Sequence, residues 1–213
     1  MAGLAFGATV GADWGHRPWL PCGMTERAVY HRLRELRERF TPPPGVTYPE
    51  ISGGMLVMTM SPCRRHQVTA ADLRDQLAPQ APVGVGVFEA TDVGDEVLGK
   101  LRIPDLVVTM GAATMPLLAV EIVSPLSPGT DYEDKSRDYP AMGIPRYLIV
   151  DPRDGTWTYQ WEIGRRGGSP VYENRLRLPS GSTVTIATDL GKWKVETGAL
   201  PRYSREDMML PPE

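Results

Sequence analysis

Cysteine is scarce in this chain: Cys22 and Cys63 are the only two in 213 residues, far apart and outside any CxxC or Cys/His spacing. That excludes a disulfide framework and a structural zinc site built on thiolates, and makes a reducing, cytoplasmic setting the default expectation. No apolar run approaches the length of a membrane span, and the N-terminus lacks a basic stretch followed by a continuous apolar one, so neither membrane insertion nor secretion is expected. A basic excess is missing too. The net charge is −3, from 23 Lys and Arg against 26 Asp and Glu, so no global field draws a polyanion. Any nucleic-acid binding must rest on a local basic surface or on metal ions. No GxSxG nucleophile elbow occurs and Ser124 has no evident histidine partner, which sets an unrelated α/β hydrolase aside. Internal repeats and linker-length low-complexity blocks are absent.

What is present suits one substantial core. Residues 1–23 are rich in Gly, Ala and Pro without a helical or strand period, and are read as a loose, dispensable leader; 24–200 form the domain and 201–213 a polar, peripheral tail. Thr25 caps a predicted helix with Val29, Leu33, Leu36 and Phe40 on its apolar stripe, stopped by Pro42, Pro43, Pro44 and Gly45. Val46 to Ile51 and Met55 to Met60 flank Ser52, Gly53 and Gly54 as a hairpin. A second helix runs from Arg64 to Leu77, with His66, Ala70, Leu73 and Leu77 on one face. Strands follow at Val83–Phe88, Asp105–Met110 and Leu117–Val123. A short helix spans Asp131–Met142, then come strands Arg146–Val150, Thr156–Glu162, Arg175–Leu178 and Thr183–Ala187.

The chemistry concentrates in the central strands. Glu121 sits inside Leu117, Leu118, Ala119, Val120, Glu121, Ile122, Val123, a run apolar enough to be covered on both faces. A carboxylate there costs free energy unless a cation or several hydrogen bonds offset it, and metal ligation is one such compensation; the plainer reading is that it reaches solvent or an arginine near the strand end. Pro104 and Asp105 open the preceding strand, where proline removes no needed donor. If the two strands are neighbours, Asp105 and Glu121 converge on one hard cation. Arg64, Arg65, Lys100, Arg102, Arg165 and Arg166 are the basic groups that could track phosphates, though scattered pairs of this kind usually form a solvated surface. His66 reads as a hydrogen-bonded core or rim residue rather than a ligand. Glu50, after Pro49, is either a solvated edge residue or a site carboxylate.

The run Ile103, Pro104, Asp105, Leu106, Val107, Val108, then Ala119, Val120, Glu121, Ile122, Val123, Ser124, Pro125, then Asp131, Lys135 and Tyr139, then Gly143 to Asp151, resembles the Uma-type restriction endonuclease family of the PD-(D/E)XK nuclease superfamily. Upstream, Tyr48 to Gly54 and Ser61, Pro62 and His66 extend the resemblance to roughly residues 25–200. It implies an α/β, restriction-endonuclease-like fold: a mixed sheet flanked by helices, with an N-terminal helix and hairpin and a C-terminal β-rich extension. It also implies a Mg2+ or Mn2+ site held by Asp105, Glu121 and Glu50, and a metal-dependent endonuclease acting on DNA; a homodimer is compatible with it. The superfamily's lysine, two residues after the acidic position, is replaced here by Val123, which makes Lys135 the substitute catalytic cation. The alternative is a member of the same fold that has lost turnover and binds nucleic acid or a protein. Pro140 is expected to kink or shorten the helix carrying Lys135.

Overall fold

In the computed structural model, residues 24–111, 116–125 and 128–209 are described. The leader, residues 1–23, lies outside them. Helix α1 (Glu26–Glu38) starts at its expected cap: the Thr25 hydroxyl accepts the Ala28 N–H at 3.2 Å. Its inward face is rotated from the expected stripe. Tyr30 and Arg37 are buried and Leu33 half-buried, while Leu36 is exposed. The cause is Arg37, whose guanidinium forks onto both oxygens of Asp92 at 2.6 Å and donates to the Pro49 carbonyl at 2.5 Å. A fully partnered arginine is drawn in where an unpaired one would be held out.

Strands β1 (Glu50–Ser52) and β2 (Met55–Val57) form the expected hairpin. Gly53 and Gly54 both take positive φ, 59° and 73°, as a two-residue turn matched to strand twist requires. Helix α2 spans Arg64–Leu77. Strands β4 (Val93–Asp95) and β5 (Lys100–Arg102) join the hairpin in a four-stranded sheet, ordered β2-β1-β5-β4. Neither was expected. Each has three residues, too few to show an alternation.

The larger sheet is built from β3 (Val85–Glu89), β6 (Leu106–Met110), β7 (Pro116–Ile122), β8 (Arg146–Asp151), β9 (Thr156–Arg166) and β10 (Ser169–Pro179), ordered β10-β9-β8-β7-β6-β3. β7 and β8 are its one parallel pair among the described residues, and a parallel pair needs a crossover. That crossover carries a π-helical turn (Thr130–Lys135) and helix α3 (Ser136–Ala141), in place of the single α-helix expected over Asp131–Met142. Pro140 lies in the last turn of α3, which ends one residue later, in keeping with the expected shortening.

Alternation divides the core between two faces. Leu106, Val108, Val120, Ile122 and Leu148 pack on α2 through Leu73 and Leu77, and on the hairpin of β11 (Thr183–Thr188) and β12 (Gly191–Glu196) through Ile186 and Trp193. Val107, Ala119, Val123, Tyr147 and Ile149 face Tyr139 and Met142. Because both faces are covered, the central strands read as continuous apolar runs. Glu121 falls on the second face. No helix among the described residues is long and apolar enough to cross a membrane.

Candidate active site

Antiparallel register sets the two central carboxylates side by side. Leu106 pairs with Val120 across β6 and β7, so one further step places Asp105 opposite Glu121, and opposed residues share a face. Asp105 is held at both oxygens: Oδ2 accepts the Ile122 N–H at 2.7 Å, and Oδ1 lies 2.9 Å from His66 Nε2. Its side chain keeps 23% exposure. Burial alone would raise its pKa, but the His66 hydrogen bond and charge, the Lys135 charge and the Ile122 amide together hold it below the ordinary value. His66 is therefore a hydrogen-bonded rim residue, as expected, and the group it holds is the Asp105 carboxylate.

Glu121 is 2% exposed. The Tyr139 hydroxyl donates to Oε1, and Lys135 Nζ lies 2.7 Å from Oε2. Burial, reinforced by the charges of Asp105, Asp131 and Glu50, pushes its carboxyl well above the usual range despite Lys135. The Lys135 ammonium also stands 3.3 Å from Asp131 Oδ1 and 3.9 Å from Glu50 Oε1. Burial opposes its charge, yet Glu121, Asp131, Glu50 and Asp105 together raise its pKa, so it stays protonated. Val123, two residues after Glu121 on the same face, is fully buried in the core. A lysine is thus missing from the strand, while an ammonium reaches the same carboxylate from the crossover.

Asp131 and Lys135 both lie on the π turn, and the Lys135 ammonium meets Asp131 and Glu121 together. The Tyr147 hydroxyl donates to the Asp131 carbonyl at 2.9 Å and so ties the turn to β8. π-helical turns recur at functional sites. Asp131 is 5% exposed and its carboxyl is raised, chiefly by burial. Sequence reasoning did not rank it among the site residues, though its spacing four before Lys135 was a usable signal.

Glu50 is not a solvated edge residue. Its Oε2 lies 2.7 Å from Arg102 Nη1 and its Oε1 accepts the Ile103 N–H at 2.9 Å, so it is oriented at the rim of the cluster. The basic pairs divide. Arg64, Arg65, Arg165 and Arg166 are exposed, as expected, whereas Lys100 and Arg102 are not a solvated surface. Arg102 is buried against Glu50 and Asp138, and Lys100 Nζ lies 3.0 Å from Asp138 Oδ2. Two cations were drawn inward by the buried Asp138 of α3, a pairing between distant residues that strand patterning could not show. Nor is the expected polar tail wholly peripheral: the Tyr203 hydroxyl donates to the Val123 carbonyl at 2.9 Å and lies 3.2 Å from His66 Nδ1.

These groups open onto a cleft of about 720 Å³, which Glu50, His66, Asp105, Glu121, Asp131 and Lys135 all line. Among the described residues, no three His, Cys, Asp or Glu side chains already form a metal-ligand group. Lys135 stands between the carboxylates, and Arg102 engages Glu50. The donors themselves suit a hard cation such as magnesium, which takes one or two carboxylates and keeps several waters.

Asp138 clamps α3 to the small sheet, and this has a measurable consequence. Burial alone would raise its carboxyl, but Arg102 and Lys100 hold it below the ordinary value. Its stabilising contribution is therefore complete at neutral pH and is lost as pH falls from 3.8 through the folded-state pKa. Asp138→Asn is expected to cost about 3 kcal/mol at pH 7, by leaving Arg102 and Lys100 short of a buried counter-charge. Urea unfolding at pH 7 and at low pH checks it: the variant's deficit shrinks on acidification.

The fold is that of a restriction-endonuclease-like α/β protein, with a mixed sheet carrying adjacent carboxylates at one end of its central antiparallel pair. The chain belongs to the Uma2 family, described as "Putative restriction endonuclease", whose model matches residues 30–196. Among solved structures, that of "a putative nuclease belonging to DUF820 from Anabaena variabilis" superposes with a TM-score of 0.52 at 14% identity, covering 70% of this chain and 86% of that one. At that identity it bears on the fold alone. No curated protein matches the chain.

Proposed function

We propose that this protein is a metal-dependent endonuclease that hydrolyses DNA phosphodiester bonds. The observation that carries the reading is the convergence of Asp105, Glu121, Asp131 and Lys135 at the wall of one cleft, two of the carboxylates from paired strands and the ammonium from the crossover. Asp105 and Glu121 would hold a magnesium or manganese ion, with Glu50 as an outer carboxylate. Bound there, the ion would supply Lewis-acid polarisation of the phosphate and a more acidic water.

The chain's own residues supply the rest. His66 and the Ile122 amide keep Asp105 ionised and aimed, and Tyr139 fixes the rotamer of Glu121. Lys135 presents a permanent positive charge to the attacking water and to the charge that develops on the phosphate. Arg102 orients Glu50.

The test is conversion of supercoiled plasmid to nicked or linear forms with manganese and its suppression by EDTA. Metal binding without cleavage would instead support the catalytically degenerate binding module.

A further inference from the structure

Beside the carboxylates the cleft carries a second feature, a fixed aromatic ring. Tyr48 lies two residues before Glu50 on the same run of chain, and both line the cleft. Its hydroxyl donates to the Arg37 carbonyl at 2.8 Å, and the Arg37 guanidinium carbon sits 4.4 Å from the ring centroid. That guanidinium is itself locked by Asp92 and the Pro49 carbonyl. The ring is thus held at its hydroxyl and backed by a cation, yet it stays 39% exposed. Met60, on the facing run of the hairpin, is 46% exposed and lines the same cleft.

The cationic groups of the cleft point the same way. Among the described residues lining it, the basic side chains are Arg37, His66 and Lys135, and each is engaged by a carboxylate. Duplex binding depends on rows of cations set against both phosphate backbones. Among the described residues this wall offers no uncommitted one, so base recognition falls to the aromatic ring beside Arg37, and only an unpaired base exposes a π-face on which such a ring can stack. A cleft of about 720 Å³ is the size that accepts a small ligand, that is, a nucleotide or two outside a helix.

We propose that the cleft takes an unpaired nucleotide of a single strand, whose base stacks on Tyr48 while its phosphate reaches Asp105 and Glu121. This rests on the nuclease reading and specifies its substrate. The probes are a short fluorescent single strand of DNA and the same sequence as a duplex, titrated by anisotropy with the full chain in calcium. The single strand is expected to bind at least tenfold more tightly. Tyr48→Ala should weaken it about tenfold or more, and Tyr48→Phe, which keeps the ring over Arg37 but loses the hydroxyl restraint, should fall between Tyr48→Ala and the parent. Thermal unfolding of both variants run alongside separates lost stacking from lost fold. Tighter duplex binding by the parent, or single-strand binding indifferent to Tyr48→Ala in a folded variant, overturns the inference and leaves the nuclease reading standing. Failure of the parent to bind either nucleic acid overturns both.

Discussion

Asp105→Asn and Glu121→Gln are each expected to abolish manganese binding while the metal-free protein stays folded. The two carboxylates face each other across β6 and β7, and a hard cation with few protein ligands cannot lose one of them cheaply. Stability moves differently. Burial and three neighbouring carboxylates already disfavour the charge of Glu121, so a neutral amide of the same shape resembles the protonated acid and still accepts from Tyr139. Glu121→Gln is expected to unfold at or above the parent's temperature at neutral pH. The raised pKa also sets the sign of a pH effect. The folded state holds this proton more tightly than the unfolded chain, so the metal-free parent gains stability as pH falls through the folded pKa toward 4.5. Glu121→Gln lacks that gain. Manganese must displace the same proton, so the parent's affinity should rise with pH. Isothermal titration and thermal unfolding with and without manganese are the measurements. Variants that bind manganese like the parent, or that both unfold, make the carboxylates structural and remove the chemical basis of the nuclease.

Lys135→Met is expected to reduce plasmid cleavage by a factor on the order of a hundred or more, the usual consequence of deleting one preorganised electrostatic group. Methionine keeps most of the stem and its packing. Manganese affinity should equal or exceed the parent's, because the ammonium at 2.7 Å from Glu121 competes with any cation for that oxygen. The metal-free variant should lose stability, by up to about 3 kcal/mol, since breaking a buried ion pair strands its partners. Protonation of Glu121 limits that loss. Saturating manganese should recover it, as a ligand bound only by the folded state must. Equal cleavage by parent and variant would falsify the catalytic role, and weaker manganese binding would make Lys135 a support of the metal site instead.

How far the site could be read in advance differs residue by residue. Glu121 stood out because it breaks an apolar strand pattern, a departure visible without coordinates, whereas Asp105, at a strand entrance after Pro104, gained weight only from its place beside that strand and from the resemblance. Lys135 could be linked to Glu121 only by resemblance, since no local rule connects a strand carboxylate with a lysine fourteen positions later. Arg102 and Lys100 looked like surface cations because a charge run carries no mark of what it will meet. The burial of Arg37 was invisible for the same reason: α1 has an apolar stripe, and the partner that rotated it, Asp92, lies 55 residues away.

The amino-acid order by itself determined the cap of α1, the glycine turn of the first hairpin, the limits of α2 and the covered central strands, together with Glu121, a carboxylate too costly to be incidental. Those properties depend on neighbours within a few residues, through backbone hydrogen bonding and side-chain periodicity. Only the tertiary structure decided that Lys135 and Asp131 meet Glu121, that His66 holds Asp105, that Arg102 and Lys100 go inside, and that Tyr48 faces the cleft. Such placements are set by long-range pairing in a low-dielectric interior. There a charge is buried or exposed according to whether a distant partner offsets its desolvation.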